Sequence, residues 1–246
     1  MHRSTSLLAA TASLLLLAGG LAACATPTAP GAPASSAPIS TDAPAAEPAE
    51  IDAAWLGGGS MIAIVTRGSS TCVPVASGVT YEAGVLQVTL ADPPADQACT
   101  RDYVLRGFAV AVPEGIDTAD DLQIAVTGSE LRGSVELDGV AGLVPADGLE
   151  DGGLPSAGWT DDDGVFALLT WGSSGCPPVV QEALVSAPGE ITVTLADSPA
   201  DRICTSDFAP RVTVGSVPGI DDDATYELVL AGDGLDGTRV PVVGEN

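Results

Sequence analysis

The side chains that most often activate a nucleophile near neutral pH are nearly missing from this chain. It has one histidine, His2, and no lysine, so its eight basic residues are all arginines. A serine or cysteine nucleophile needs a base within hydrogen-bond reach, and imidazole titrates closest to neutrality. His2 lies in the N-terminal segment that is interpreted below as a cleaved signal, so the mature chain would have no imidazole. We therefore expect no Ser-His-Asp or Cys-His catalysis and no histidine metal site.

Two serine pairs stand before cysteines in the same motif. Ser69-Ser70 precedes Cys72, and Ser173-Ser174 precedes Cys176. Only a carboxylate could act as base for these hydroxyls, and it is a poor match near neutral pH. The pattern favours a polar turn that fixes a disulfide.

Acidic runs offer a second kind of chemistry. Asp161, Asp162 and Asp163 could supply oxygen ligands to Ca²⁺, but the matching positions earlier in the chain read Gly57–Ser60. Glycine and aspartate share turn formation and not ligand chemistry, so a turn is the favoured interpretation. The run 221–223 is interpreted in the same way, and we expect no metal and no other cofactor.

Arginines and carboxylates recur together around the later cysteine of each motif. Such a pair could bind a ligand through bidentate hydrogen bonds, or it could be an ion pair that holds a long loop. Trp171 stands where the earlier motif has Arg67, so it is either a binding aromatic or a local packing change. The recurring residues are Asp96, Asp102 and Arg106, then Asp201, Asp207 and Arg211.

The chain repeats itself with a shift of 104 to 105 residues, since Trp55 returns as Trp159 and Cys99 returns as Cys204. A period near 100 indicates tandem domains. We expect a first β repeat over 51–140, a linker over 141–156 and a second repeat over 157–246. Each copy owns two cysteines, so the duplication favours the pairs Cys72–Cys99 and Cys176–Cys204.

Alternating hydrophobicity predicts strands in both copies. Leu86, Val88 and Leu90 alternate with polar residues, and residues 191–195 repeat the pattern. Period two with β-branched residues is typical of a half-buried strand. No segment shows a helical period. We therefore expect an all-β protein of two tandem antiparallel β-sandwich domains, immunoglobulin-like in outline.

The N-terminus reads as a secretory signal, because a basic start precedes an apolar run and small residues. Its ending, Leu21-Ala22-Ala23-Cys24, resembles the lipobox of bacterial lipoproteins. The resemblance implies cleavage after residues 1–23 and a diacylglyceryl group on Cys24. It places the protein on the outer face of the cytoplasmic membrane. The alternative is an uncleaved anchor, for which the run is at the short edge of the roughly 17–25 residues required.

Composition limits the partners further. Residues 24–50 are rich in Ala, Pro, Ser and Thr, which predicts a disordered stalk. The net charge of −25 argues against nucleic acid, whose binding depends on neutralising phosphates with Lys and Arg.

The repeated Gly-Ser-Ser-x-Cys and Cys-Thr-x-Asp motifs resemble those of uncharacterised exported domains of high-GC Gram-positive bacteria. That resemblance brings no activity with it. We expect a non-enzymatic binding or envelope-organising module, anchored to the membrane by lipid, that contacts an envelope protein or a cell-wall glycan. The alternatives are a Ca²⁺-dependent adhesion or wall-binding protein and a carboxylate-based glycan hydrolase.

Overall fold

The computed structural model describes residues 48–145, 153–199, 201–221 and 224–246. Several sequence-based predictions lie outside those residues. They are the signal over 1–23, the lipidation site Cys24, most of the stalk over 24–50, the middle of the linker over 141–156, and Asp222 and Asp223.

Fourteen strands form in the described part of the chain. Their bounds are β1 Ile51–Leu56, β2 Met61–Gly68, β3 Ala76–Glu82, β4 Val85–Leu90, β5 Val104–Ala111, β6 Leu122–Gly128, β7 Leu131–Leu137, β8 Ser156–Trp159, β9 Val165–Gly172, β10 Val180–Ala187, β11 Glu190–Leu195, β12 Ala209–Ser216, β13 Glu227–Ala231 and β14 Arg239–Val243. The only other regular element there is a short 3₁₀ turn, Gly57–Gly59. The all-β prediction is confirmed. Among these residues no helix is long and apolar enough to cross a bilayer.

Strands β1–β7, here called the first half, form two sheets ordered β1-β2-β5 and β3-β4-β6-β7. Strands β8–β14, the second half, repeat this as β8-β9-β12 and β10-β11-β13-β14. In the second half, a short parallel pairing of β14 with β8 joins the two groups into one seven-stranded sheet.

The predicted antiparallel, immunoglobulin-like arrangement needs correction. β4 pairs with β6 in parallel, and β11 pairs with β13 in parallel, so one sheet of each half is mixed. The reason is that the chain leaves to build β5 before it returns, and a crossover of this kind permits parallel neighbours. An immunoglobulin sandwich has antiparallel sheets.

Each half has its own core between its two groups of strands. Trp55, Ile62, Leu86 and Ile124 are fully buried in the first core. The second core is filled in the same way by Trp159, Phe166, Leu168, Ile191 and Leu228. The alternating residues of β4 and β11 point into these cores, which confirms both strand predictions.

A third core joins the halves. Ala54, Leu56 and Ala63 of the first half pack against Ala167 and Leu169 of the second, all at most 1 % exposed. β2 and β9 are therefore buried on both faces, which explains why their sequences are continuous apolar runs. The chain does not divide into two separate sandwiches, because residues 44–246 cluster as one compact unit.

The halves approach so closely that one contact requires glycine. A Cβ atom added to Gly158 would lie 2.3 Å from the carbonyl oxygen of Trp55. The amide of Gly57 also donates to Ser156 Oγ across the same contact, at 2.8 Å. This backbone proximity fixes β1 against β8 and determines how the outer strands β5 and β12 meet.

Candidate functional site

The two predicted disulfides are confirmed. Cys72 bonds to Cys99 and Cys176 bonds to Cys204, each with Cα atoms 5.5 Å apart. Each bridge closes a loop of similar length that leads directly into β5 or β12. The same environment is therefore built twice, beside the outer strand of each half.

The serine pairs hold the loops closed. The amide of Ser70 donates to Asp102 at 3.2 Å, and the Thr100 hydroxyl donates to the same carboxylate. These hydrogen bonds, Ser70 first and Thr100 next, lower the pKa of Asp102 to about 2. A carboxylate with so low a pKa is a weak base, so it is poorly suited to activate a serine.

The second half repeats this hydrogen-bonded cluster. The amide of Ser174 donates to Asp207 at 3.1 Å, and Thr205 donates to the same carboxylate. Hydrogen bonds from Ser174 and then Thr205 lower the pKa of Asp207 to about 2. Asp96 and Asp201 are exposed on the same loops.

Neither of the two recurring arginines forms a bidentate pair of hydrogen bonds with a carboxylate. Arg106 donates from Nη1 to the Ser69 carbonyl at 3.1 Å and to the Cys72 carbonyl, while its Nε donates to Thr66 Oγ1 at 3.4 Å. Neither arginine belongs to an ion pair in the part of the chain that the structure describes. Burial lowers the pKa of the Arg106 guanidinium.

Arg211 has the same role in the second half. Its Nη1 donates to the Cys176 carbonyl at 2.9 Å, and its Nη2 donates to the Trp171 carbonyl at 3.1 Å. Burial also lowers the pKa of Arg211. Each arginine thus connects its outer strand to the disulfide loop through backbone carbonyls.

Trp171 combines packing with partial exposure. Its ring stacks on Phe208, with centroids 5.9 Å apart, and it also packs against the third core. Arg67, at the matching position, instead pairs with Asp162 at 3.3 Å and with Glu50 at 3.8 Å. The exchange of arginine for tryptophan therefore replaces an ion pair by an aromatic contact.

The acidic run Asp161–Asp163 forms part of the contact between the halves. Asp162 is held by Arg67 of the first half. Burial, followed by repulsion from Asp162 and Asp161, raises the pKa of Asp52 to about 6. No group of three or more metal-binding side chains occurs among the described residues, so the geometry gives a Ca²⁺ site no support.

Two adjoining clefts lie where β5 meets β12, and the sequence analysis missed them. The first has a volume of 320 Å³ and lies between residues 73–76, residues 107–109 of β5 and residues 210–212 of β12. The second has a volume of 390 Å³ and lies between residues 104–107, 177–180 and 212–214. Both contain Val73, Gly107, Pro177 and Val212.

Exposed apolar side chains form much of the cleft walls. Val75 is 65 % exposed in the first cleft, and Val179, its counterpart, is 54 % exposed in the second. Val73 and Val104 are also exposed. The sequence feature that corresponds to these walls is a short apolar stretch, Val-Pro or Pro-Val, after the first cysteine of each copy. Such a stretch in a loop has no periodicity from which a surface could be predicted.

Comparison with known protein families, curated proteins and solved structures found no match for this chain. The paired clefts and the residues that hold them in place are therefore the features of this chain that bear on its function. Each cleft draws its walls from both halves, so neither would exist in an isolated half.

Proposed function

We propose that this protein is a lipid-anchored, extracytoplasmic binding module without catalytic activity, and that the paired clefts bind its partner. The observation that carries the proposal is the exposed apolar wall of each cleft. Clefts of about 300–1,000 Å³ lined by apolar side chains are typical binding sites. Exposed apolar patches generally mark interaction surfaces.

The location is supported by chemistry at two places in the chain. Disulfides such as Cys72–Cys99 persist in oxidising compartments outside the cytoplasm. The Leu21–Cys24 motif supplies an acylation site, and the segment 24–50 provides a spacer between lipid and strands. We place the protein on the outer face of the cytoplasmic membrane, where an envelope protein or a wall glycan is its partner.

We also propose that residues 51–140 and 157–246 are two copies of one two-sheet β-sandwich, joined by 141–156. This proposal is supported by the strand order and the disulfide loop, which both recur in the two halves. The copies have become one folding unit through the third core. Duplication thereby created a binding surface at the junction of the copies.

The positions of the carboxylates with raised pKa values favour a non-enzymatic role. Asp52 and Asp161 are the described carboxylates whose pKa values are raised, as a glycan hydrolase would require of its general acid. Neither lines either of the two clefts, and Asp161 faces other acidic groups. We therefore expect no turnover of wall glycans by the purified protein.

Chemical cross-linking on intact cells tests the proposal. Tagged protein would be compared with the double variant Val75→Asp, Val179→Asp, which adds charge to both cleft walls. Ser134→Asp, on exposed β7 away from both clefts, is the matched control. We expect one discrete cross-linked partner with the parent and the control, and its loss with the double variant. An unchanged partner set, or glycan hydrolysis by the purified protein, would contradict the proposal.

A further inference from the structure

We propose that an extended apolar peptide carrying an acidic group adds to the free edge of β5, as a fourth strand of the β1-β2-β5 sheet. The inference rests on the proposed binding function and specifies its ligand. It combines three features of the first cleft: an unpaired strand edge, apolar walls and one cation, Arg211, that belongs to no ion pair among the described residues.

The strand edge follows from the register of the sheet. β5 is the last strand in the order β1-β2-β5. The amide of Val112 donates to the Ser60 carbonyl at 3.0 Å, which makes these two residues a hydrogen-bonded pair. Because such pairs alternate in an antiparallel ladder, Leu105, Gly107 and Ala109 direct their N–H and C=O groups away from β2.

No other strand in the described residues pairs with that edge of β5. Gly107 and Ala109 line the first cleft, and Leu105 lines the second. An open edge with exposed N–H and C=O groups is a template for another strand. An added peptide takes its affinity from main-chain hydrogen bonds and its specificity from alternate side chains.

The walls define the side chains that such a peptide carries. Val73, Val75 and Pro177 contribute apolar walls to the first cleft of 320 Å³, which suits small or medium apolar residues at alternate positions. Arg211 is the one charged residue on this wall, and no carboxylate lines the cleft. In a chain with 33 acidic residues, this local positive charge favours a peptide with a carboxylate facing Arg211.

The equivalent edge of the second half lacks one of these outward N–H groups. The amide of Val217 donates to the Gly164 carbonyl at 2.8 Å, so the same alternation turns Pro210 and Val212 of β12 outward. Pro210 corresponds to Leu105, six residues after the later cysteine of its copy. Proline has no N–H to donate and blocks pairing at an edge. Of these two equivalent edges, β5 alone therefore offers an outward N–H at this position.

This difference supplies a variant for the test. Leu105→Pro places on β5 the residue type that β12 has at the equivalent position. It removes an outward N–H that does not donate to β2. Ser134→Asp, on exposed β7 and away from both clefts, is the control. The probes are peptides selected from a random decapeptide display library against the whole protein in detergent micelles.

We expect selected peptides to alternate in hydrophobicity and to carry an acidic group. Leu105→Pro should weaken their binding about tenfold, as expected when a strand-pairing hydrogen bond is lost in an apolar site, whereas Ser134→Asp should not weaken it. The amides of Leu105, Gly107 and Ala109 should exchange more slowly when peptide is bound. Replacing the peptide's acidic group by an amide should also reduce affinity.

N-methylation of the peptide at alternate positions removes its strand hydrogen bonds without changing the protein. It should abolish binding, even if Leu105→Pro fails to fold. Peptides that bind equally well after both modifications, or a library that yields no binder, would overturn the inference. A partner that cross-links to Leu105→Pro on cells as efficiently as to the parent would leave the proposed function intact while excluding strand addition.

Discussion

Asp52 shows how a single residue couples the two halves to pH. Burial and the neighbouring Asp162 and Asp161 raise its pKa from 3.8 to about 6. The folded state therefore holds this proton more tightly than the unfolded chain does. Its charge costs no stability below pH 4, and the cost grows as the pH rises towards 6 and is complete above it.

We predict that Asp52→Asn raises the free energy of unfolding at pH 7 by about 1 kcal/mol. A fully buried group with this pKa would give about 3 kcal/mol, and the partial exposure of Asp52 reduces that. Urea unfolding at pH 4 and pH 7 measures it, because the gain should vanish at pH 4. Asp163→Asn, which removes a charge from an exposed site, is the control. An equal gain at both pH values would contradict the assignment.

Residue types alone indicated only part of the site. The spacing of Asp102 and Arg106 suggested an ion pair, but a sequence does not show which carbonyls a loop turns towards an arginine. The guanidinium instead binds carbonyls of the disulfide loop, and the carboxylate is satisfied by Ser70 and Thr100. The disulfides were predictable because the duplication left one natural pairing for each copy.

At the scale of elements, the close contact of β1 with β8 is the most sensitive packing site. We predict that Gly158→Ala destabilises the protein by about 2 kcal/mol or more, because the new Cβ would overlap the Trp55 carbonyl. Gly78→Ala is the matched control, since its nearest neighbour would be Thr89 Cβ at an ordinary 3.8 Å. Thermal unfolding of both variants measures the difference. Equal effects would contradict this close approach.

The disulfide loops support the outer strands. Replacing Cys72 and Cys99 by serine should cost roughly 3 kcal/mol in the chain-entropy model, since the bridge spans 27 residues. The same change at Cys176 and Cys204, which span 28, should cost a similar amount. Denaturant unfolding of the two double variants measures both values. A negligible cost for either would show that its loop is held without the bridge.

Strand positions were largely readable from the sequence, and strand partners were not. Residues such as Leu86, Val88 and Leu90 alternate because one face is buried. That alternation is the same for parallel and antiparallel neighbours, so the β4–β6 pairing left no signal. The runs in β2 and β9 showed burial on both faces, but they could not show that the second face packs on the other copy.

At the scale of the whole molecule, the third core makes the halves interdependent. Separating them would expose Ala54, Leu56 and Ala63, which are fully buried in the intact protein. We predict one cooperative unfolding transition for the intact protein, and marginal or no folding for residues 48–145 alone. Calorimetry of both chains measures this. Two independent transitions would indicate separate domains.

The central claim is that the clefts at the junction of the halves bind a partner. Site-specific photo-cross-linking tests it most directly, with a benzoylphenylalanine placed at Val75, at Val179 or at the distant Ser134, on cells that carry the protein at their surface. We predict a discrete cross-linked partner from Val75 and Val179 and none from Ser134. The same partner from all three positions, or from Ser134 alone, would show that binding occurs elsewhere.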